Sequence, residues 1–252
     1  MAWFKRRHII TTFLLTLIIL ISMKAMEFDL SKFRDFRNMI EFLSGWFPIN
    51  TEIIPKMIME SLDTMAMAFL GSFLGLVIAL PLAFVAARNT SRSPFLYGFF
   101  RIGLSFLRSI PEIVFGLILL TALGLGPFPA VIAIILHNIG VLGKLISELI
   151  EAADVGPQEA MKSVGARRWI ANLFSILPQI WPNVLSHYFY RFEVAIRTSL
   201  ILGFIGGGGI GQQLFNHFKT FHYQAVAVDV ILIMIMVILV DFAGSKIRET
   251  VI

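Results

Sequence analysis

The chain of 252 residues contains no cysteine, and only 15% of its residues are charged. The absence of cysteine excludes disulfide bonds and thiolate metal sites. The scarcity of charge, together with a hydrophobic fraction of 57%, excludes an ordinary soluble domain. Long uncharged runs separate the charges, and about 20 apolar residues are enough to cross a bilayer. The composition therefore predicts a polytopic membrane protein.

Six apolar segments are predicted to be membrane-spanning helices. They extend approximately over Ile9 to Met23, Met65 to Ala87, Phe99 to Gly124, Phe128 to Ile146, Gln179 to Gly206 and Ala225 to Ala243. The expected fold class is therefore all-α, with six transmembrane helices. Since these spans leave almost no chain for a separate soluble domain, any ATPase that powers this protein is expected on another chain.

The first 60 residues are expected to differ in role from a membrane domain built by residues 61–252. The basic start and first apolar run also fit a signal peptide, but no clear small-x-small cleavage site follows, which favours an uncleaved anchor. Farther along, apolar residues recur at the spacing of a helix lying on a membrane surface: Phe33, Phe36, Ile40 and Leu43. Residues 1–60 are thus predicted to hold an anchor helix and an external interfacial segment.

Positive charge is distributed unevenly among the connections between the spans. It is concentrated in alternate short segments, at Lys5, Arg6 and Arg7, at Arg88 and Arg92, at Lys162, Arg167 and Arg168, and at Lys246 and Arg248. Since cytoplasmic loops carry an excess of Lys and Arg, both termini and a loop at about residues 148–178 are predicted to lie in the cytoplasm. This bias accounts for the net charge of +5, and no basic stripe with interleaved aromatics suggests a nucleic-acid partner.

The loop at residues 148–178 carries the most specific pattern in the chain. Glu159-Ala160-Met161 is followed after three residues by Gly165, and after nine more by Ser175-Ile176-Leu177-Pro178. This spacing resembles the EAA loop of ABC importer permeases, in which Glu-Ala-Ala, glycine and Ile-x-Leu-Pro are separated by the same intervals. The resemblance assigns contact with the ATPase to Glu159, Ala160, Gly165, Leu177 and Pro178, with Met161 and Ser175 as departures from the pattern.

A second match to the first three letters of that motif lies at Glu151-Ala152-Ala153. Its spacing would require glycine at Pro157 and proline at Ile170, so Glu159 is the predicted motif glutamate. Local signals agree, because Pro157 suits the first turn of a helix and Glu159 places negative charge near the positive end of its dipole. Gly165 can end that helix in the left-handed conformation. The loop is therefore predicted to be a helix-turn-helix at the membrane surface.

A narrower resemblance covers roughly residues 65–252. The runs Leu185-Ser186-His187-Tyr188-Phe189-Tyr190-Arg191-Phe192-Glu193, Arg197-Thr198-Ser199 and Gly206-Gly207-Gly208-Gly209-Ile210-Gly211 are similar to those of phosphonate-import permeases. The resemblance implies a type I ABC importer permease fold in a bacterial inner membrane and import of phosphonate, phosphite or a related reduced-phosphorus anion. It also implies a second copy of this chain, two ATPase subunits that hold ATP and Mg, and a periplasmic or lipid-anchored binding protein. No cofactor, metal or bond chemistry is expected on this chain.

The glycine run could suggest a nucleotide-binding loop. It follows an apolar helix, however, with no strand before it and no Lys-Ser or Lys-Thr pair after it, which excludes the usual phosphate-binding motif. The remaining interpretations are a flexible helix end or a periplasmic gate formed by Gly206, Gly207, Gly208 and Gly209.

Ionisable residues inside the predicted spans are candidates for the translocation pathway, because a charge at mid-bilayer depth costs several kcal/mol unless it faces protein or water. They are Arg108, Glu112, His137, Arg191 and Arg197. Arg197 lies four residues from Glu193 and can pair with it, which leaves Arg191 as the freer cation. Arg108 and Glu112 have the same spacing, interrupted by Pro111. A purely structural role as ion pairs remains an equal alternative for these groups.

Three other functional classes fit parts of the sequence. An importer of another small solute, such as methionine, would share the loop at residues 148–178. An ion-coupled secondary transporter could use Asp229 and Asp241, although no inverted repeat is evident. A membrane scaffold without transport activity would account for the apolar spans but not for the motif spacing.

Overall fold

The computed structural model describes residues 6–29 and 36–251, and throughout these ranges the regular structure is helical, without strands. The chain divides into two units, residues 1–45 and 46–252. In the first unit, α1 (Arg6–Ala25) is long and apolar enough to cross a membrane, and α2 (Phe36–Ser44) follows as a short amphipathic helix. The predicted interfacial segment is therefore helical from Phe36 onward, and its Phe33 lies outside the described residues. Lys5, one of the basic residues at the start of the chain, also lies outside them.

The second unit contains eight α-helices in the described part of the chain: α3 (Ile54–Val85), α4 (Pro94–Ser109), α5 (Glu112–Leu123), α6 (Pro127–Ala152), α7 (Gly156–Ser163), α8 (Arg168–Leu202), α9 (Gly209–Lys219) and α10 (Tyr223–Val251). Helices α1, α3, α6 and α10 are each long and apolar enough to span a bilayer. The bent pairs α4–α5 and α8–α9 bring the number of candidate spans to six. The predicted all-α fold class is confirmed, and the six predicted spans correspond to these four helices and two bent pairs.

The two ends of the second unit are distinguished by their connections. At one end, here called the glycine end, the Gly126 amide donates to the Gly206 carbonyl over 2.9 Å. At the other, the α7 end, the Asn89 side chain donates to the Ile150 carbonyl over 2.7 Å. Helices α3, α6 and α10 therefore run from the glycine end to the α7 end, and the α4–α5 pair and α8 run back.

Two apolar cores lie one above the other along these helices. The core nearer the glycine end joins α3, α6, α8, α9 and α10 through buried side chains that include Ala68, Ile134, Ile196, Ile210 and Met236. The core nearer the α7 end joins α3, α6 and α8 through Leu76, Leu142, Ile146, Ile176 and Val184, among others. Because both cores use the same three long helices, the residues between them lie at an intermediate depth.

Helices α3 and α6 approach closely between the two cores because α3 has glycine at Gly71 and Gly75. A Cβ atom at Gly75 would lie 2.7 Å from the Asn138 Cβ, nearer than real Cβ contacts allow. The Gly75→Leu substitution is therefore expected to destabilise the membrane domain by about 1–3 kcal/mol through overpacking.

Thermal unfolding of the detergent-purified protein, followed by the fraction that remains monodisperse, would measure the effect of Gly75→Leu. The matched control is Gly103→Leu on α4, where a Cβ would meet no atom within 4 Å. Equal unfolding temperatures for the two variants would contradict the proposed close packing.

Three predicted spans differ from the observed helices. The span expected from Met65 begins earlier, since α3 starts at Ile54. The expected span from Phe99 to Gly124 is broken, since α4 and α5 meet at 85°. Ile110 is extended at the break, as the residue before a proline prefers, and Pro111 cannot donate a backbone hydrogen bond. The span expected from Gln179 instead begins eleven residues earlier, within a helix that starts at Arg168 and continues through both of its internal prolines.

Candidate functional site

Helix α7 and the turn after it have the predicted helix-turn-helix conformation. The Gly156 amide donates to Asp154 Oδ1 over 3.1 Å at the start of the helix, and Glu159 lies in its first turn. Gly165 has a φ of 82°, in the left-handed region, and its amide donates to the Lys162 carbonyl over 3.0 Å. The turn closes the helix in the manner of a glycine C-cap, and α8 begins three residues later at Arg168.

One polar contact holds α7 against the beginning of α8, and a second holds the α6–α7 connection against α8 farther along. Gln158 Nε2 donates to Asn172 Oδ1 over 2.6 Å, and both residues are buried. Gln179 Oε1 accepts from the Asp154 amide over 3.0 Å, which fixes the connection between α6 and α7. Since Gln158 occupies the inner face of α7, the outer face is left exposed, including Glu159.

The residues that the motif assigns to ATPase contact are divided between this exposed face and α8. Glu159, Ala160 and Gly165 are exposed, and no atom lies within 4 Å of the position that a Cβ on Gly165 would take. Leu177 is half-buried and Pro178 is exposed, one and two residues after the buried Ile176. The geometry thus offers a protruding helical turn whose base is anchored in the core near the α7 end.

The alternative motif glutamate has a different environment. Glu151 lies near the end of α6, and its Oε1 accepts from the Arg88 amide over 2.9 Å and from Arg101 Nη1 over 2.8 Å. These contacts tie the end of α6 to the α3–α4 connection and to α4. Glu151 therefore has an intramolecular role, whereas the outward position of Glu159 fits contact with another chain.

A polar cluster lies between the two apolar cores and is formed by Glu112, His137, Asn138 and Arg191. Arg191 Nη2 donates to Glu112 Oε1 over 3.2 Å, and Arg191 Nε donates to Asn138 Oδ1 over 2.7 Å. His137 Nε2 lies 3.0 Å from the same Glu112 oxygen, and His137 Nδ1 lies 3.0 Å from the Ile110 carbonyl oxygen. The cluster therefore connects the α4–α5 bend, α6 and α8 at one depth.

The approach of α6 to the α4–α5 bend depends on Gly140. A Cβ at this position would lie 2.5 Å from the Arg108 backbone nitrogen and 2.8 Å from the Leu107 Cβ. Only glycine leaves room for this approach, which brings the first turn of α5 within reach of α6 and α8. Glu112 can then meet Arg191, although 79 residues separate them in the sequence.

These contacts overturn two sequence-based expectations. Arg191 is not the freer cation, since it is 8% exposed and bound to Glu112 and Asn138. Glu112 pairs with Arg191 rather than with Arg108, because the 85° bend removes the helical spacing that would have joined Arg108 to it. Arg108 is exposed at the end of α4.

The predicted pairing of Arg197 with Glu193 is confirmed by a distance of 2.7 Å. Arg197 also lies 3.4 Å from Asp241 on α10, and its side chain is half-exposed. Arg197 is thus farther from the buried layer than Arg191 and has two acidic neighbours. Asp241, which could have served an ion-coupled transporter, is engaged in this contact with Arg197.

The interior cluster can present hydrogen-bond donors while remaining close to electrically neutral. The Arg191 charge is balanced by Glu112, and the buried Asn138 Nδ2 has no hydrogen-bond partner among the described residues. A buried donor without a partner is costly, so this amide is available to a polar solute or water molecule that reaches it. Recognition of an anion here would require the guanidinium to be shared with, or released from, Glu112.

The glycine run forms a tightly packed joint between α8 and α9. Residues Gly203–Gly207 form a π-helical turn, in which Gly206 has a φ of 100°. The next two glycines, Gly208 and Gly209, have φ values of 89° and 69°. A Cβ at Gly207 would lie 2.8 Å from the Leu202 carbonyl oxygen. The joint therefore requires glycine both for its backbone angles and for its packing.

The glycine end contains polar contacts that sequence reasoning missed. His217 Nδ1 lies 2.7 Å from Asp229 Oδ2, and Asp229 is fully buried. Gln213 Nε2 donates to Glu60 Oε1 over 2.9 Å, which joins α9 to α3. For the pair of His217 and Asp229, the only signal in the sequence was the isolated position of Asp229 in an apolar segment. The pair of Gln213 and Glu60 had no sequence signal. In the described ranges, no three His, Asp or Glu residues are grouped so that they could hold a metal ion.

Comparison with known proteins relates this arrangement to membrane transport. The chain is 39% identical to the "Phosphite transport system permease protein PtxC" of Stutzerimonas stutzeri over 188 residues, which cover 75% of this chain and 68% of that protein. It is 33% identical to the "Phosphate-import permease protein PhnE" of Mycolicibacterium smegmatis over 212 residues. That match covers 84% of this chain but 40% of the mycobacterial protein.

The fold also matches a solved structure, described as an inward-facing conformation of the MetNI methionine ABC transporter. The TM-score is 0.70 at 21% sequence identity, with 81% of this chain and 100% of the other chain covered. This likeness confirms the predicted importer-permease fold. Residues 79–247 match the family model described as "Binding-protein-dependent transport system inner membrane component". The match extends over the larger part of the chain, and the chain therefore belongs to this family of inner membrane transport components.

Proposed function

We propose that this chain is the permease subunit of an ATP-driven importer and that it docks on separate ATPase subunits through α7. The observation that carries the proposal is the protruding turn, on which Glu159 and Gly165 are exposed at the motif spacing while Gln158 holds the helix against Asn172. The ATPase subunits would hold ATP and Mg, and this chain would perform no bond chemistry.

The proposed substrate is a phosphorus oxyanion, such as a phosphonate or phosphite. The proposal is supported by the two relatives, whose names specify phosphite and phosphate transport. The likeness to the methionine transporter is at 21% identity and supports the fold alone. Import of a different small solute is the alternative that a substrate assay would have to exclude.

Helix α8 provides a physical route from ATPase docking to the transport pathway. It begins directly after the Gly165 turn, carries Arg191 at intermediate depth, and ends at the glycine joint. A displacement of α7 would therefore be transmitted along one continuous helix to both places. In a pair of permease copies, such displacements would open the pathway alternately toward the binding protein outside and toward the cytoplasm.

The cluster between the two cores is the proposed place at which the pathway accommodates the anion. Arg191 and the unpaired Asn138 amide would offset part of the lost hydration of an oxyanion, with His137 beside them. The Glu112 carboxylate would compete for the guanidinium and keep the affinity low enough for release. Arg108 and Arg197 lie outside this cluster and remain secondary candidates.

In the proposed topology, the α7 end faces the cytoplasm of a bacterial cell and the glycine end faces outward. Both termini would be cytoplasmic, and the part of residues 1–60 that precedes α3 would supply the anchor helix and the external segment. Gly206 to Gly209 would then lie near the outer mouth, where they could serve as a gate. The charge bias among the connections supports this orientation.

The topology predicts opposite labelling of two exposed lysine positions. In a chain without cysteine, Lys162→Cys on α7 should react with a membrane-impermeant thiol reagent only when the cytoplasmic face is accessible. Lys219→Cys, at the end of α9, should react from outside in intact cells. If Lys162→Cys were labelled in intact cells and Lys219→Cys were protected, the true topology would be the opposite of the proposed one.

The proposed function is tested by the stimulation of ATP hydrolysis. The complex reconstituted with its ATPase subunits would be given its binding protein loaded with methylphosphonate, phosphite, phosphate or methionine. Stimulation by a phosphorus oxyanion but not by methionine is the expected result. Stimulation by methionine alone would show that the substrate is methionine and not a phosphorus oxyanion. The absence of any associated ATPase would refute the proposal that this chain belongs to an ATP-driven importer.

A further inference from the structure

We propose that a cavity at the α7 end binds the phosphate headgroup of an anionic phospholipid. The cavity has a volume of about 590 Å³ and lies between the α3–α4 connection, the first turn of α4 and the beginning of α8. Its wall includes Arg92, Arg168 and Trp169. The volume falls within the range of about 300–1,000 Å³ that is usual for small-molecule sites.

A second cavity of about 470 Å³ shares part of this wall and extends the basic surface. It is bordered by Arg88 and Tyr97 in addition to Arg92 and Arg168. The Arg88 guanidinium lies 5.7 Å from the centre of the Tyr97 ring, which orients it along the cavity edge. Arg92 and Arg168 thus border both cavities, and Arg88 borders the second.

The guanidinium groups of these arginines have no acidic partner. Among the described residues, no carboxylate oxygen lies within 4.0 Å of a guanidinium nitrogen of Arg88, Arg92 or Arg168, although Glu151 accepts from the Arg88 backbone amide over 2.9 Å. The nearby Arg101 is paired with Glu151 at 2.8 Å. Arg168 Nη2 instead donates to the Ser91 carbonyl over 2.7 Å, which holds the guanidinium at the recess. A recess with uncompensated positive charge favours an anionic ligand, and guanidinium groups bind phosphate through paired hydrogen bonds.

The surface beyond the recess is suited to the acyl chains of such a ligand. An apolar stripe on α4 starts beside the cavity and continues toward the α4–α5 bend through the exposed side chains Phe95, Phe99, Ile102 and Phe106. Trp169, at the cavity wall, is 56% exposed, and tryptophan is enriched at the level of lipid headgroups. A basic recess followed by an apolar stripe matches a phospholipid better than it matches a free anion or a peptide.

The inference goes beyond the proposed transport function and depends only on the placement of the α7 end at a membrane surface. Basic pockets between transmembrane helices are known to receive anionic headgroups. A lipid bound here would contact both the α3–α4 connection and the start of α8, close to the Gly165 turn. Such a lipid would help to hold α8 in place where the docking turn joins it.

The test uses Trp169 as a reporter in the whole complex, reconstituted in phosphatidylcholine vesicles with a small fraction of brominated lipid. Quenching by brominated phosphatidylglycerol is compared with quenching by brominated phosphatidylcholine, after subtraction of the Trp169→Phe signal. We expect stronger quenching by the anionic lipid. Each of Arg92→Gln and Arg168→Gln should lower its apparent affinity by about fivefold, as expected for one arginine near an anionic surface.

The matched control is Arg167→Gln, which removes the same charge from the adjacent residue outside both cavities. Equal quenching by the two lipids, or an equal effect of Arg167→Gln, would overturn the proposed site. Release of the quenching by inorganic phosphate would also overturn it, in favour of a soluble anion. Since the assay requires neither ATP nor a binding protein, its failure would be distinguishable from a failure of the transport proposal.

Discussion

Replacement of Arg191 by glutamine is expected to destabilise the membrane domain by about 3–5 kcal/mol, the usual cost of breaking a buried ion pair by removing one partner. The substitution leaves the Glu112 carboxylate in the protein interior without its cation, and it also removes the donor to Asn138. His137, at 3.0 Å from the same carboxylate oxygen, would limit the loss toward the lower value. Thermal unfolding and the yield of assembled complex would measure the loss of stability in Arg191→Gln.

The double variant Arg191→Gln/Glu112→Gln separates the structural role of Arg191 from a role in transport. Because removal of both charges leaves no unpaired ion, its stability should return close to that of the unsubstituted protein. If Arg191 contacts the anion, the restored double variant should still lack phosphite uptake. Wild-type uptake by this variant would limit Arg191 to packing.

Arg197→Gln is the matched half-exposed control for this experiment. The Arg197 side chain is 50% exposed, whereas the Arg191 side chain is 10% exposed and its loss leaves the Glu112 carboxylate in the protein interior. Substitution of Arg197 should therefore change stability much less than Arg191→Gln. The reverse order would show that the pair with Glu112 contributes little to the fold.

Replacement of Gly165 by valine is expected to disconnect the permease from its ATPase while leaving the membrane domain folded. Gly165 has a φ of 82°, and a β-branched residue strongly disfavours that region. The position is exposed, so the turn can rearrange without disturbing either apolar core. We expect copurification of the ATPase to fall by about tenfold or more, which corresponds to about 1.4 kcal/mol of lost binding free energy.

The matched control is Gly165→Asn, because asparagine tolerates the left-handed conformation better than other residues with a side chain. It should retain most of the ATPase.

A second comparison uses the two glutamates. Glu159→Lys should weaken ATPase binding without loss of stability, whereas Glu151→Lys should lower stability by breaking the contacts with Arg88 and Arg101. Stronger loss of ATPase from a folded Glu151→Lys variant would show that the motif begins at Glu151.

The α7 turn was predictable because its determinants are local in sequence. Pro157, Glu159 and Gly165 lie within one helical hairpin, and each favours its observed position through backbone preference or the helix dipole. The four unbroken spans were equally accessible, since length and apolarity alone define them.

The bends and the interior cluster were not predictable in this way. Pro111 indicates a break, but the 85° angle depends on Gly140 admitting the α4 backbone, a contact between distant segments. Local preference would end or kink a helix at Pro178 and Pro182. Helix α8 continues through both prolines, because Ile176 and neighbouring residues are packed in the core. The pairing of Glu112 with Arg191 follows from this packing and has no sequence signal.

The central claim, that ATP hydrolysis on a partner drives a phosphorus oxyanion through this chain by way of the α7 turn, is tested most directly by uptake into sealed vesicles. The vesicles would contain the whole complex, with ATP on the ATPase side and the binding protein with radiolabelled phosphite on the other. The account predicts ATP-dependent accumulation by the unsubstituted complex and by Gly165→Asn, and none by Gly165→Val. Accumulation without ATP, or at the unsubstituted rate in Gly165→Val, would contradict it.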